Sequence, residues 1–406
     1  MPSGADDVFG GNAPDAGTGC YRQRVHGEHL PKESVVPDPR VQEAVDLLDR
    51  FADRTGVTSS RPPRRYLWTD AFAVMTDLGL YERTGDDRFR SRALALIDQV
   101  HRLLGRHRDD DSREGWLSGL DDDEGALHPT RGGLRIGKER PERGRREPFD
   151  AREEWDRDGQ YFHYLTRWML TLDRAARTTG DARYALWSRE LCETAVDAFA
   201  RRDTPYGRPS LVWKMSIDLS RPLVASTGQH DALDGHVTAR QLESTRREFG
   251  DDTNAPALTS VVETLRSMID VYALATTDPL GIGGLLLNLA HLDQIDPEDT
   301  LNADLLASAR AGLVIGPRRL GLTGAAETRL AFREFGLSIG LAAVEDRFPA
   351  LADFVTLREP IESFWRTAEA QDSRTWREHE DIDAVMLAAS LAPQGVVALP
   401  TPSARH

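Results

Sequence analysis

The sequence has few cysteines, few strand-like stretches and no long apolar run. Its 406 residues include only Cys20 and Cys192, which argues against a disulfide framework or a thiolate metal site. No apolar run reaches the roughly 18 residues that a membrane-spanning helix needs. The first residues lack the apolar core of a signal peptide. We therefore expect a soluble, cytoplasmic protein without a cofactor.

Positive charge is also scarce relative to negative charge. The chain has 51 Lys and Arg against 66 Asp and Glu, a formal net charge of −15. Binding to nucleic acid or to anionic membranes requires basic surfaces. The composition therefore predicts neither partner, and it leaves the oligomeric state open.

A short turn recurs between segments of helical periodicity. It occurs at residues 84–89 and 179–184, with looser versions at 276–279 and 345–349. In the first two copies a Thr-Gly-Asp sequence is followed by an arginine and an aromatic residue. The glycine suits the left-handed position that ends a helix, and the aspartate can cap the next helix. A recurring helix–turn–helix unit predicts a repeat architecture.

Helical periodicity predicts about twelve helices, whereas alternating strand patterns are nearly absent. The predicted helices are residues 41–55, 67–83, 88–105, 154–178, 183–201, 236–249, 260–275, 280–292, 301–311, 325–341, 349–357 joined to 361–370, and 381–391. Two connections, 106–153 and 202–235, are unusually long, and such loops are often functional. We interpret residues 1–38 as a flexible arm, 39–395 as one domain and 396–406 as a flexible tail.

Paired helices can form an open solenoid or close into a ring. An open solenoid needs polar end caps, and no atypical end repeats are visible. The Thr-Gly-Asp turns resemble those of the six-hairpin, or (α/α)6, enzymes, which include many glycosidases and the N-acylglucosamine 2-epimerases. Residues 66–70, 128–138 and 155–163 are similar to stretches of six-hairpin glycosidase-like proteins from bacteria and plants. The resemblance covers about residues 40–392 and implies an all-α toroid of six helical hairpins.

In such a ring the Thr-Gly-Asp turns lie at one end and the long loops at the other. Six of the eight tryptophans belong to the long-loop end: Trp68, Trp116, Trp155, Trp213, Trp365 and Trp376. Four histidines join them: His128, His230, His236 and His379. Tryptophans with polar residues on one rim suggest a pocket in which rings stack on a sugar. The alternative is that the tryptophans only anchor the loops.

Residues 155–163 are the densest group of polar and aromatic side chains. Asp156, Gln160 and His163 have helical spacing and would share a face of the predicted helix. A carboxylate and an imidazole on that face could act as acid and base. The alternative is that Asp156 or Asp158 caps the helix and that His163 packs in the core.

The stretch 128–146 has seven basic residues against two acidic ones. Arg131, Arg135 and Lys138 could hold a carboxylate or a phosphate, so an anionic saccharide is one candidate substrate. Pairing with the neighbouring acidic residues is the alternative. The Gly132-Gly133 pair does not have the pattern of a phosphate-binding loop.

The second long loop has another polar cluster, at residues 226–236. One interpretation is sugar recognition with a general base. Another is a divalent metal on His230, Asp234 and His236, although the spacing matches no strong metal motif. A loop whose side chains satisfy its own backbone is the third.

We predict a glycoside hydrolase-like enzyme that acts on a small-molecule or oligosaccharide substrate. Asp156 and Asp70 would be the acid–base pair, assisted by His163 and His230, because glycosidases use two carboxyl groups. The predicted substrate-binding residues are Trp68, Trp155, Gln160, His128, Arg131, Arg135, Lys138, Trp213, Lys214, Gln229, Asp231, Asp234 and His236. A sugar isomerase or epimerase, a metal-dependent enzyme and a non-catalytic helical scaffold remain alternatives.

Overall fold

Aspartate side chains begin several helices. In the computed structural model, Asp86 and Asp181 each accept a hydrogen bond from the backbone N–H two residues ahead, at 3.0 Å. The glycines before them, Gly85 and Gly180, have φ of +70° and +73° and end the preceding helices. Both Thr-Gly-Asp turns therefore have the predicted geometry, because glycine adopts this left-handed conformation without a Cβ clash.

The structure describes residues 38–201, 207, 209–249 and 258–400. The predicted N-terminal arm, apart from Asp38, and Cys20 lie outside the described residues. Within these ranges no helix combines the length and the apolar character that crossing a bilayer would require.

The described ranges contain eighteen α-helices. They are α1 (Pro39–Arg54), α2 (Leu67–Thr84), α3 (Asp87–Leu104), α4 (Asp122–Leu127), α5 (Ala151–Trp155), α6 (Phe162–Thr179), α7 (Ala182–Phe199), α8 (Asp231–Phe249), α9 (Thr259–Met268), α10 (Pro279–Ile295), α11 (Leu301–Leu313), α12 (Ala331–Val344), α13 (Ala352–Val355), α14 (Arg358–Trp365), α15 (Ala368–Gln371), α16 (Arg374–Glu378), α17 (Glu380–Leu391) and α18 (Gln394–Val397). Short 3-10 helices lie at Val271–Ala273, Ala326–Thr328 and Pro349–Leu351.

Six of these helices form a closed inner ring. Each of α2, α6, α8, α10, α12 and α17 packs against the next, and α17 packs against α2. An outer helix covers each one: α3, α7, α9, α11, α14 and α1, in the same order. The first helix thus pairs with the last inner helix, and this pairing of the two ends of the chain closes the sixth hairpin.

Inner and outer helices differ in how much of their surface is buried. On α2 every residue from Leu67 to Leu80 is buried, whereas α3 buries one face only. A helix that is apolar on most sides has neighbours on most sides. The all-α class predicted from the sequence is confirmed.

In the described ranges, three short strands lie within the second long loop, and two others pair with them from outside it. β1 (Gln160–Tyr161), β4 (Lys214–Met215) and β5 (Pro222–Val224) form an antiparallel sheet in the order β1-β4-β5. β2 (Ala200–Arg201) pairs with β3 (Ser210–Leu211). The three-stranded sheet ties the second long loop to the start of α6.

The predicted helix 154–178 is wrong at its start. The chain leaves helix α5 at Asp156 and enters strand β1 before α6 begins. Gly159 makes this possible: its φ is +149°, and a Cβ there would lie 2.8 Å from the Met215 carbonyl oxygen. Asp156, Gln160 and His163 therefore do not share a helical face.

Two other predicted boundaries differ from the structure. Helix α8 begins at Asp231, five residues before the predicted start, so Asp231 and Asp234 are helical. Helix α9 ends at Met268 rather than near residue 275. Polar residues at the start of α8 obscured its periodicity, because its first turn faces a polar cavity.

Residues 394–400 pack across the end of the ring that carries the Thr-Gly-Asp turns. Val396 is buried, and its carbonyl oxygen lies 2.9 Å from Nε2 of His291 on α10. The Ala398 carbonyl oxygen accepts a hydrogen bond from Arg174 on α6. Part of the predicted tail, residues 396–400, thus belongs to the packed ring, whereas residues 401–406 lie outside the described residues.

Candidate active site

A cavity of about 1080 Å³ lies at the end of the ring opposite residues 394–400. All six inner helices contribute their first turns to its wall. One representative from each is Trp68, His163, Asp231, Gly281, Arg333 and Asp381. Six helix N-termini therefore surround the cavity, and their partial positive charges stabilise carboxylates or an anionic group there.

Asp231 and His163 face each other in this cavity. The Asp231 carboxyl is buried, and its Oδ1 lies 3.8 Å from Nδ1 of His163. Burial, reinforced by the charge of Asp234, raises the pKa of Asp231 to about 8. Burial lowers the pKa of His163 to about 4. At neutral pH the pair is therefore a protonated carboxyl beside a neutral imidazole.

Asp234 lies one helical turn beyond Asp231 and is held by partners. Asn288 donates its amide to Asp234 Oδ1 at 2.6 Å, and Arg167 Nη2 lies 3.4 Å from the same oxygen. Arg167 itself lies one turn after His163 on α6. The two aspartates thus differ: Asp234 is paired with a cation, whereas Asp231 has no Lys or Arg within 4 Å among the described residues.

Asp70 lies in the first turn of α2. Its Oδ2 accepts a hydrogen bond from the Tyr66 N–H at 2.9 Å, and its Oδ1 lies 3.5 Å from Arg65 Nη1. Burial raises the pKa of Asp70 to about 6, against the opposing effect of Arg65. This carboxyl is mostly ionised at pH 7.

Aromatic rings cover one wall of the cavity. Trp68, His163 and Trp213 lie in succession, with ring centres 6.1 Å apart at each step, and Trp155 contacts Trp213 at 4.9 Å. The hydroxyls of Tyr66 and Tyr164 lie 2.6 Å apart. Flat apolar surfaces of this kind suit the apolar faces of sugar rings.

Several buried polar atoms around the cavity have no hydrogen-bond partner in the described part of the chain. They are Arg65 Nη1, Trp68 Nε1, His163 Nδ1, Arg167 Nε and Asp231 Oδ2. Buried polar atoms are nearly always paired in folded proteins. Their clustering gives the cavity wall several donors and acceptors that point to one space.

Four other predicted residues also line the cavity. His230 Nε2 lies 2.8 Å from the Leu274 carbonyl oxygen, and the Gln229 amide donates to the Ala273 carbonyl at 2.6 Å. Both therefore anchor the segment before α10.

Arg135 donates to Asp158 at 2.6 Å, so its charge is compensated. The Lys138 ammonium lies 5.4 Å from the centre of the Tyr66 ring, and burial lowers its pKa.

Asp156 and Gln160 do not line the cavity. Asp156 is exposed at the end of α5. The buried Gln160 amide accepts from the Leu134 N–H and donates to the Gly132 and Ile217 carbonyls. Gln160 therefore joins the two long loops, and neither residue belongs to the lining that contains His163.

His128, Arg131, Lys214 and His236 also lie outside the cavity lining. His128 and Arg131 both contact Glu190 on α7, at 2.6 and 3.0 Å. Lys214 is buried against the end of α5, and His236 Nδ1 lies 3.2 Å from a backbone carbonyl. Each of the four has a protein partner that accounts for its position.

The residues of the metal alternative do not converge. Asp234 faces Arg167 and Asn288, whereas His230 and His236 contact separate backbone carbonyls. In the described ranges no group of three or more His, Cys, Asp or Glu side chains could hold a metal ion.

Sequence reasoning missed some cavity residues and misplaced others. The lining residues Arg65 and Arg167 were not singled out, nor was Asn288, which holds Asp234 from behind the lining, although the spacing of Arg167 from His163 on one helix was visible. Asp278, assigned to a Thr-Gly-Asp-like turn, instead caps α10 at the cavity and contacts Arg333 at 2.7 Å. This turn runs from an outer helix to an inner one. Trp116, Trp365 and Trp376 do not belong to the lining.

The comparisons with known proteins identify the fold. No family model and no curated protein matches the chain. A family 76 α-mannanase of Bacteroides thetaiotaomicron has a similar structure, with a TM-score of 0.56 and 9% identity over 88% of this chain and 96% of that one.

Two further solved structures are similar. An inactive variant of an α-1,6-mannanase from a Salegentibacter species, in complex with α-1,6-mannotriose, has a TM-score of 0.51 and 13% identity, over 87% of this chain and 99% of that one. A family 76 glycoside hydrolase from a bovine B. thetaiotaomicron strain has a TM-score of 0.53 and 10% identity, over 89% and 78%. The chain has the six-hairpin (α/α)6 fold, and the prediction of that fold is confirmed.

Proposed function

We propose that this protein is a glycoside hydrolase-like enzyme that binds a saccharide in the cavity. Asp231 is the general acid and Asp70 the second carboxylate. The observation that carries the proposal is the Asp231 carboxyl, which is buried in the cavity wall and carries an oxygen that no described residue hydrogen-bonds. Its pKa of about 8 keeps it protonated at neutral pH.

The two carboxyls suit the two tasks of glycosidic bond cleavage. One group must protonate the leaving oxygen, and the other must be ionised to activate water or attack the sugar. Asp231 holds the proton, whereas the lower pKa of Asp70, about 6, leaves it ionised. Two carboxyls whose environments separate their pKa values make such a division of labour possible.

Asp231 takes the role that the sequence suggested for Asp156. Asp156 is exposed and outside the cavity lining, so it has no route to a ligand bound beside His163. His163 and Arg167 support the acid. The imidazole of His163 is neutral and does not take the proton of Asp231. The positive charge of Arg167 pairs with Asp234 and not with Asp231.

The fold relatives favour a saccharide but leave the substrate open. The Salegentibacter variant is described as inactive with two consecutive aspartates replaced by asparagine. Among the described residues that line this cavity there is no consecutive aspartate pair. The proposal therefore rests on this chain's own carboxyls, without transfer of mannan specificity.

The test begins with thermal-shift measurements on gluco-, manno-, galacto- and xylo-saccharides and on uronic acids, since a ligand that binds the native state raises Tm. Hydrolysis of the ligands found is then measured for Asp231→Asn and Asp70→Asn. We expect each variant to lose about 10²-fold or more of kcat. Asp156→Asn is the matched control and should retain full turnover. Full activity in Asp231→Asn would refute the proposed role.

The pH dependence gives an independent check. Activity needs Asp70 ionised, which is fulfilled above about pH 6, and Asp231 protonated, which is fulfilled below about pH 8. We therefore expect a bell-shaped profile of kcat/KM with limbs near these values. Asp231→Asn should abolish the alkaline limb of the residual activity, and an unchanged limb would contradict the assignment.

A sugar isomerase or epimerase is the second candidate function, because the unpartnered His163 Nδ1 could move a proton beside a carbonyl group. Reactions in D2O distinguish the two. An isomerase incorporates deuterium at carbon and loses activity in His163→Ala, whereas a hydrolase incorporates none at carbon and depends on Asp70.

A further inference from the structure

Trp155 is an unusually exposed tryptophan. All eight tryptophans lie in the described residues, and Trp155 alone has more than half of its surface exposed, 53%. It nevertheless lines the mouth of the cavity together with Trp213. The two rings are in contact and form one aromatic patch beside the cavity, and exposed apolar patches mark ligand-binding grooves or interaction sites.

Buried charges fix the segment that carries Trp155. Lys214 is fully buried, and its ammonium donates to the carbonyl oxygens of Glu154 and Arg157 at 2.7 and 2.9 Å. It also contacts the Glu154 carboxylate at 3.0 Å, and Arg143 pairs with that carboxylate at 2.8 Å. Burying a lysine costs free energy unless its donors are satisfied. The exposed ring is therefore held in place rather than left loose.

The Trp155 ring belongs to a continuous row that ends at the proposed acid. It stands at 76° to Trp213, with ring centres 4.9 Å apart. Trp213 is nearly parallel to His163, with an interplanar angle of 13°. His163 in turn faces Asp231. A ligand that lies along this row extends from the carboxyl to the mouth of the cavity.

We propose that Trp155 and Trp213 form an outer sugar subsite, and that the ligand is an oligosaccharide of at least two pyranose units. One unit lies at Asp231 and the next stacks its apolar face on Trp155. This inference rests on the proposed function, and it specifies the substrate as an oligosaccharide rather than a monosaccharide. Lys214 is a positioning residue of the subsite.

The experiment compares Trp155→Ala with the wild-type chain on gluco-, manno-, galacto- and xylo-saccharides of one to three units. Binding is measured by calorimetry, and shielding of tryptophan by acrylamide quenching of fluorescence. We expect the variant to bind oligosaccharides roughly 10-fold more weakly, the equivalent of one aromatic stacking contact. Binding of monosaccharides should not change. Trp155→Tyr should recover most of the loss.

Phe149→Ala is the matched control. Phe149 lies six residues before Trp155 with 55% exposure but does not line the cavity. Its replacement should leave binding unchanged. In the wild-type chain an oligosaccharide should shield a tryptophan from acrylamide, and this shielding should disappear in Trp155→Ala.

Four outcomes would overturn the inference. Equal loss of monosaccharide and oligosaccharide binding would mean that Trp155 acts only on the inner site. Unchanged oligosaccharide binding, or oligosaccharides that bind no better than monosaccharides, would remove the subsite and leave the proposed function intact. If no sugar of any length binds, the proposed function fails and the subsite fails with it.

Discussion

The buried carboxyl of Asp231 makes the stability of the protein depend on pH. Its pKa is raised from 3.8 to about 8, mainly by burial. Between these values the native state holds a proton that the unfolded chain releases. Stability therefore falls as pH rises through this window and stays low above it. An enzyme can retain such a group when the proton is used in its reaction.

We expect Asp231→Asn to be more stable than the wild-type chain at alkaline pH. The neutral amide avoids burial of a charge, so the gain in Tm should be small near pH 4 and should grow up to about pH 8. At pH 9 we expect a gain of about 2 °C or more. Melting curves of both chains across this range provide the measurement. A constant difference at all pH values would show that Asp231 does not titrate in this window.

Helices α10 and α12 approach each other closely because glycines lie at their contact. A Cβ on Gly283 would lie 2.1 Å from the Gly336 carbonyl oxygen, and a Cβ on Gly340 would lie 2.5 Å from the Gly283 carbonyl oxygen. Such contacts leave no room for a side chain. The approach sets the spacing between two neighbours in the inner ring, and with it the width of the cavity.

Gly283→Ala should therefore destabilise the protein by roughly 1–3 kcal/mol, because the added methyl forces the backbones apart. Gly284 on the same helix is the matched control. A Cβ at Gly284 meets only one atom, 4.0 Å away at Arg167, so Gly284→Ala should be neutral or stabilising by up to about 1 kcal/mol. Denaturant unfolding measures both. Equal effects would show that the contact with α12 does not govern stability here.

At the scale of the whole molecule, the ring depends on contacts between the two ends of the chain. Helix α1 packs against α17, and residues 394–400 cross the end opposite the cavity. Gly395 lies so close to α2 that a Cβ would come within 1.9 Å of the Met75 carbonyl oxygen. These contacts close one end of the ring, so that the cavity opens at the other.

Two truncations isolate the contribution of residues 394–400. A chain that ends at Pro393 should melt at a lower temperature than one that ends at Pro400. Its His291, Arg174 and Arg177 lose backbone acceptors, and the buried Val396 is lost. Thermal unfolding of the two chains gives the difference directly. The same Tm for both would show that the segment adds no stability.

The sequence by itself determined the helical repeat. Thr-Gly-Asp turns define helix ends through local chemistry, a left-handed glycine followed by a capping aspartate, and need no distant partner. Apolar periodicity located most helices for the same reason. The resemblance to six-hairpin enzymes, which those turns carry, also proved correct for the fold. Trp68, Asp70, His163 and Asp231 were singled out, and all four line the cavity.

Only the tertiary structure decided which polar residues serve the cavity and which serve the fold. Gln160, Arg131 and Lys214 have side chains suited to a sugar, yet each binds protein groups that lie far away in the sequence. Asp231 and Asp156 are both aspartates near the start of predicted or observed helices. Burial separates them, because one is enclosed by six inner helices and the other faces solvent. Burial and partners are properties of the closed ring, and no local pattern encodes them.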